Sequence, residues 1–158
     1  MNGIRFFLRG FLIVFLFSVI FTTGCSTGIP GSGTPKIDRR TPGEFKTLAL
    51  SGAYTVSIEP GQAEHAVTIT TDDNLMDLVK TEVTGGLLKI FNTSEISPSK
   101  GVEIKISLME LVSLDVSGAG QIEAKNLSGP SFKLSISGAA DFHGSGAVDA
   151  FEVKLSGA

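Results

Sequence analysis

Three stretches decide the fold: Val112–Ala119, "VSLDVSGA"; Phe132–Ala139, "FKLSISGA"; and Phe151–Ala158, "FEVKLSGA". Their Ser-Gly-Ala triplets start at Ser117, Ser137 and Ser156, 20 and 19 residues apart, and a shorter copy, "LSGA", stands at Leu50–Ala53. Aligned on the triplets, Val112, Phe132 and Phe151 share a column. Leu114, Leu134 and Val153 share the next, and Val116, Ile136 and Leu155 the third. The positions between them are polar: Ser113, Lys133 and Glu152, then Asp115, Ser135 and Lys154. Strict alternation marks strands with one face buried. Alternation returning at a fixed interval predicts a parallel β-solenoid (β-helix), each turn of chain lying on the last at a spacing of about 4.8 Å. Lys133 then neighbours Glu152.

The triplet would be the corner of each turn. Gly118, Gly138 and Gly157 are expected to supply positive φ there, which glycine adopts without a Cβ clash. Ala119, Ala139 and Ala158 are expected to stack inside the corner. The serines can bond backbone or one another up the column.

Upstream, "YTVSIEPG" (54–61), "HAVTITT" (65–71) and "VEIKISL" (102–108) alternate in the same way, and "LVKTEVTGGLLKIFN" (78–92) reads as two strands hinged at Gly85-Gly86. No segment sustains a helical period. With 19 glycines, no Trp and only 18% charged residues, the composition suits a turn-rich all-β domain, and the 42% hydrophobic content can furnish its core. The net charge of −3 offers no basic footprint for nucleic acid.

The N-terminus reads as an export signal. Arg5 and Arg9 are followed by "FLIVFLFSVIF" (11–21), a hydrophobic run of signal-peptide length and too short to span a bilayer. Cys25, the only cysteine, follows directly after "TTG", so the chain cannot form an internal disulfide. This arrangement resembles the lipobox of bacterial lipoproteins. It implies a signal helix over 1–24, lipid (palmitate) attachment at Cys25, and, with Ser26 next, the outer membrane if the source is Gram-negative. Residues 25–44, rich in Gly, Ser, Pro and Thr, are expected to be a flexible tether. The folded domain is then 45–158.

The stretches "DDNLMDLVKTEVTGGLLKI", "VEIKISLMELVSLDVSGAGQIEA" and "LSISGAADF" resemble the bacterial domain family described as putative auto-transporter adhesin, head GIN domain. The resemblance covers about Phe45 to Ala158. It implies an exported or lipid-anchored protein, a right-handed β-solenoid with a strand-rich N-terminal cap, and no catalytic motif. Members continue for further coils, so a chain stopping inside "LSGA" reads as truncated at its C-terminus.

The outward residues offer one polar patch, with Gln121 beside Asp141 and Glu123 beside His143. An enzyme would need those carboxylates paired in a cleft. Nothing in the sequence indicates one, and no Arg follows Arg40 to hold an acidic sugar. Asp72, Asp73, Asn74 and Asp77 lack the spacing of a calcium loop and read as a polar turn. His65 and His143 are too few for a zinc site. Phe132, Phe142 and Phe151 read as core, and Tyr54 as the first inward residue of its strand. The expectation is a non-catalytic, cofactor-free binding, adhesive or scaffold module of the cell envelope. It would be held at the membrane by its lipid and would use the patch to bind a protein or glycan. A carbohydrate-active enzyme using the patch, and a subunit self-associating through its open C-terminal edge, are the alternatives.

Overall fold

The computed structural model describes residues 28–157, so the expected signal segment and Cys25 lie outside it. The described chain is all-β, with a single 3-10 turn at Met76–Leu78. None of its helices is long and apolar enough to cross a membrane.

Twelve strands form. In chain order they are β1 (Ile29–Pro30), β2 (Pro35–Arg40), β3 (Thr47–Ser51), β4 (Ala53–Pro60), β5 (Ala66–Asp72), β6 (Val79–Thr84), β7 (Leu87–Asn92), β8 (Ile96–Ser97), β9 (Glu103–Leu108), β10 (Ser113–Val116), β11 (Ala119–Ile136) and β12 (Ala139–Leu155). Ten of them make one sheet, ordered β2-β5-β9-β4-β11-β10-β3-β7-β6, with β12 on the far side of β11. The sheet folds back on itself within β11. Its first part pairs with β4 and its last part with β10. The bend contains Asn126, with a φ of 57°, and a register shift between Ala124 and Leu127 in the pairing with β12.

Two walls result, joined by Ser-Gly corners. On one wall the inward ladder runs Leu88, Leu48, Leu114, Leu134, Val153, with a second of Ile90, Leu50, Val116, Ile136, Leu155. On the other it runs Ile69, Ile104, Val56, Ile122, Phe142. All the pairings within these ladders are parallel except Ile69 with Ile104. Each fully buried aliphatic side chain contributes about 1.5–3 kcal/mol of transfer free energy, so the ladders carry the fold. The three on β12 are the exception, with Phe142 partly buried and Val153 and Leu155 46% and 69% exposed, because β12 has no further strand over it among the described residues. Lys133 pairs with Glu152 at 3.0 Å; both are exposed, so the pair contributes little.

Three expectations need correction. The glycines at the corners are not there for handedness, since Gly118, Gly138 and Gly157 are absent from the positive-φ positions. They form a column with Gly52, in which a Cβ on each would overlap the carbonyl of the glycine in the layer before it. The alanines do not fill the corner either: Ala119 and Ala139 are exposed. The serines do bond up the column, with Ser51 Oγ and Ser117 Oγ 2.9 Å apart.

The third correction concerns the tether. Much of 25–44 is docked: β1 pairs with β8, and β2 runs antiparallel along β5. Arg40 adds a bond from its guanidinium to the Val79 carbonyl at 2.7 Å. Asp72, buried at the end of β5, accepts from the Ser99 hydroxyl (2.6 Å), the Ser99 amide (2.8 Å) and the Gly33 amide (2.8 Å). The Ser99 hydroxyl and then its amide hold the Asp72 carboxyl below the usual carboxylate range, against the opposing effect of desolvation. A carboxyl with a lowered folded pKa stabilises fully above its unfolded pKa of about 4 and loses that contribution as pH falls through the lowered value. Asp72→Asn is therefore expected to be less stable than the parent at neutral pH. The two should converge in strong acid, as read by urea midpoints across pH. A constant gap at every pH would refute this account.

Candidate functional site

The outward side of the β9-β4-β11-β12 wall carries two rows of polar side chains. One is Glu103, Thr55, Gln121, Asp141; the other is Lys105, Ser57, Glu123, His143. Neighbours in a row sit on adjacent strands about 4.8 Å apart. The register brings Gln121 beside Asp141 and Glu123 beside His143. It also adds four residues that the sequence reading missed: Thr55, Ser57, Glu103 and Lys105. The signal was present, because "LSGA" at 50–53 precedes "YTVSI" as "VSGA" at 116–119 precedes "GQIEA". Extending the repeat through that first copy sets Thr55 against Gln121 and Ser57 against Glu123.

The rows enclose a groove of about 320 Å³. Its form follows from side-chain length. Thr55 and Ser57 on β4 are short and make a floor, while Glu103 and Lys105 on one side and Gln121 and Glu123 on the other make rims. The expectation that no cleft exists is thus corrected to a shallow, open groove. Glu123 is paired with Lys125 at 3.1 Å, and both are about half exposed. The face offers hydroxyls, an amide, carboxylates, an amine and an imidazole, all wet. Such a surface can hydrogen-bond a polar ligand. Its three carboxylates, Glu103, Glu123 and Asp141, are all exposed. Among the described residues no cluster of His, Cys, Asp and Glu is suited to hold a metal.

Two sequence-identified groups have other duties. The Tyr54 hydroxyl, buried, donates to Asn92 Oδ1 at 2.8 Å and lies 3.0 Å from the Ser51 carbonyl, and burial pushes its pKa up. Phe132 is buried between Phe142 and Phe151, while Phe151 itself is 55% exposed.

Residues 44–158 match the family described as putative auto-transporter adhesin, head GIN domain. The chain belongs to this family. β1 and β2 thus lie before the matched GIN domain and add to it. Solved structures share the fold. A putative lipid binding protein from Parabacteroides distasonis superposes with a TM-score of 0.66 at 23% identity, over 80% of this chain and 62% of that one. A putative adhesin from Bacteroides fragilis gives 0.63 at 14% identity, over 82% and 80%. A putative adhesin from Parabacteroides merdae gives 0.55 at 18%, over 80% and 61%. The chain therefore spans less than two thirds of the first and third of these. A search of curated proteins returned no match.

Proposed function

We propose that this GIN-domain protein is a lipid-anchored component of the cell envelope, acylated at Cys25, whose domain binds a partner without catalysis. Four supports converge on this reading: the Arg-flanked signal core ending in Gly24-Cys25, membership of an adhesin-described family, relatives named as adhesins or a lipid binding protein, and the polar groove. The groove is the observation that carries the binding role. We read the stacked layers as a short parallel β-solenoid, right-handed as parallel crossovers are. Its flat walls would present ligand-binding side chains at fixed intervals.

The test uses the full mature protein on glycan and envelope-protein arrays. A ligand should be held without turnover, and Ser57→Arg, which fills the groove floor, should weaken binding at least about tenfold, a loss of about 1.4 kcal/mol. Binding unchanged by Ser57→Arg would remove the groove from the function. Polysaccharide turnover lost in Asp141→Asn and in His143→Ala would instead establish the carbohydrate-active alternative. The self-assembly alternative draws on the exposed Phe151, Val153 and Leu155 of β12. A monomer across protein concentrations in sedimentation would dismiss it.

A further inference from the structure

The N-terminal segment is bound to the domain from Gly28 onward. Ile29 N–H donates to the Glu95 carbonyl (2.8 Å) and Gly31 N–H to the Ser97 carbonyl (2.9 Å). Asn74 faces the same segment: its amide nitrogen donates to the Pro30 carbonyl (2.8 Å) and its amide oxygen accepts from Ser32 N–H (2.9 Å). The Asp73 carboxylate bonds the Ser32 hydroxyl, and the Asp73 N–H donates to the Thr34 carbonyl at 2.9 Å. Approach is close enough that a Cβ on Gly28 would come within 2.8 Å of the Ile96 backbone, and one on Gly31 would strike the Asp72 carboxylate. The polar turn Asp72-Asp73-Asn74 is thus a clasp on the incoming chain.

We propose that this clasp holds the Ile29–Ile96 end of the domain against the lipid headgroups and points the β12 edge away from the bilayer. The inference rests on acylation at Cys25. Only Ser26 and Thr27 separate Cys25 from Gly28, so even an extended chain spans at most about 11 Å. A free tether to Pro42 would have a root-mean-square reach of about 23 Å and leave the domain to tumble. β12 lies four strand spacings from β5, where the clasp sits, or about 19 Å. A leash shorter than the domain fixes which end is near the membrane. Charge does not draw that end in, since Asp73 and Glu95 lie there with Lys36 and Lys100, so the orientation should be indifferent to salt.

The acylated full chain, reconstituted into phosphatidylcholine vesicles carrying a headgroup-linked quencher, tests this. Fluorophores are placed singly through Ser94→Cys, near the clasp, and Ser156→Cys, at the β12 end; the Cys25 sulfur is capped by its lipid. Quenching should be severalfold stronger at 94 than at 156, in low and high salt alike. An insertion of about twelve Gly and Ser residues between Thr27 and Gly28 keeps the clasp but gives the leash a root-mean-square reach of about 21 Å, and should erase the difference. Asp72→Ala with Asn74→Ala should erase it too if the domain stays folded. Equal quenching at the two positions in the parent, with acylation verified by mass spectrometry, overturns the orientation and leaves the anchor standing. An unacylated N-terminus and no recovery with vesicles overturn both.

Discussion

Gly118→Ala is expected to be among the most damaging single-methyl changes in the domain. The added Cβ would overlap the Gly52 carbonyl, and Gly138 presses on Gly118 from the next layer in the same way. The layers cannot part to make room. The Ser117 amide donates to Leu50 O (2.8 Å), Ala119 to Gly52 O (3.1 Å), Ser137 to Val116 O (2.8 Å) and Ala139 to Gly118 O (3.0 Å). Overpacking a core side chain usually costs about 1–3 kcal/mol. Here backbone meets backbone, so the upper end of that range or beyond is expected, against a total stability of about 5–15 kcal/mol. The comparison is Gly61→Ala. Gly61 has a φ of 87° but open space around it, so only the local backbone penalty of about 1–2 kcal/mol applies. Urea unfolding should show Gly118→Ala as much the worse. The reverse order would mean that handedness, not close approach, selects glycine at these corners.

Phe132→Ala should cost about 3–5 kcal/mol, the range for emptying a buried aromatic site. Phe132 is 1% exposed and stacks on Phe151 at 5.6 Å and on Phe142 at 6.1 Å, linking both arms of β12 to the core. Phe151→Ala, at a half-exposed ring, should cost nearer 1 kcal/mol, the scale of an aromatic pair. Equal losses at the two positions, measured by urea midpoint, would show that β12 is covered in solution by something that buries Phe151 as deeply as Phe132.

The C-terminal repeat was legible because its inward residues are large, apolar and strictly alternate. The observed register, Leu114 with Leu134 and Val153, can therefore be read directly from spacing. The corner glycines were legible as glycines but not as to cause. Handedness and close approach both forbid a Cβ, and a single sequence does not separate them. The docked segment was hidden for a different reason. Residues 28–34 are held by amides, Asp72, Asp73 and Asn74, and polar bonds of this kind have no periodicity. The groove was half legible. Gln121, Glu123, Asp141 and His143 fell on one face by alignment, while Glu103 and Lys105 arrive through β9, whose layer has no Ser-Gly-Ala corner.

That layer has a consequence for how the molecule is made. β7 and β9 lie outside β3 and β4, yet follow them along the chain, and β10 and β11 cover the other side later still. Both neighbours of the first wall segments are thus synthesised after them. Assembly cannot advance turn by turn behind the ribosome, because β3 has no partner until β7 has emerged and β4 has none until β9 has. Distant pairings of this kind make folding slow. A slow-folding chain stays threadable, which is what the proposed export would require of it in a narrow translocation pore.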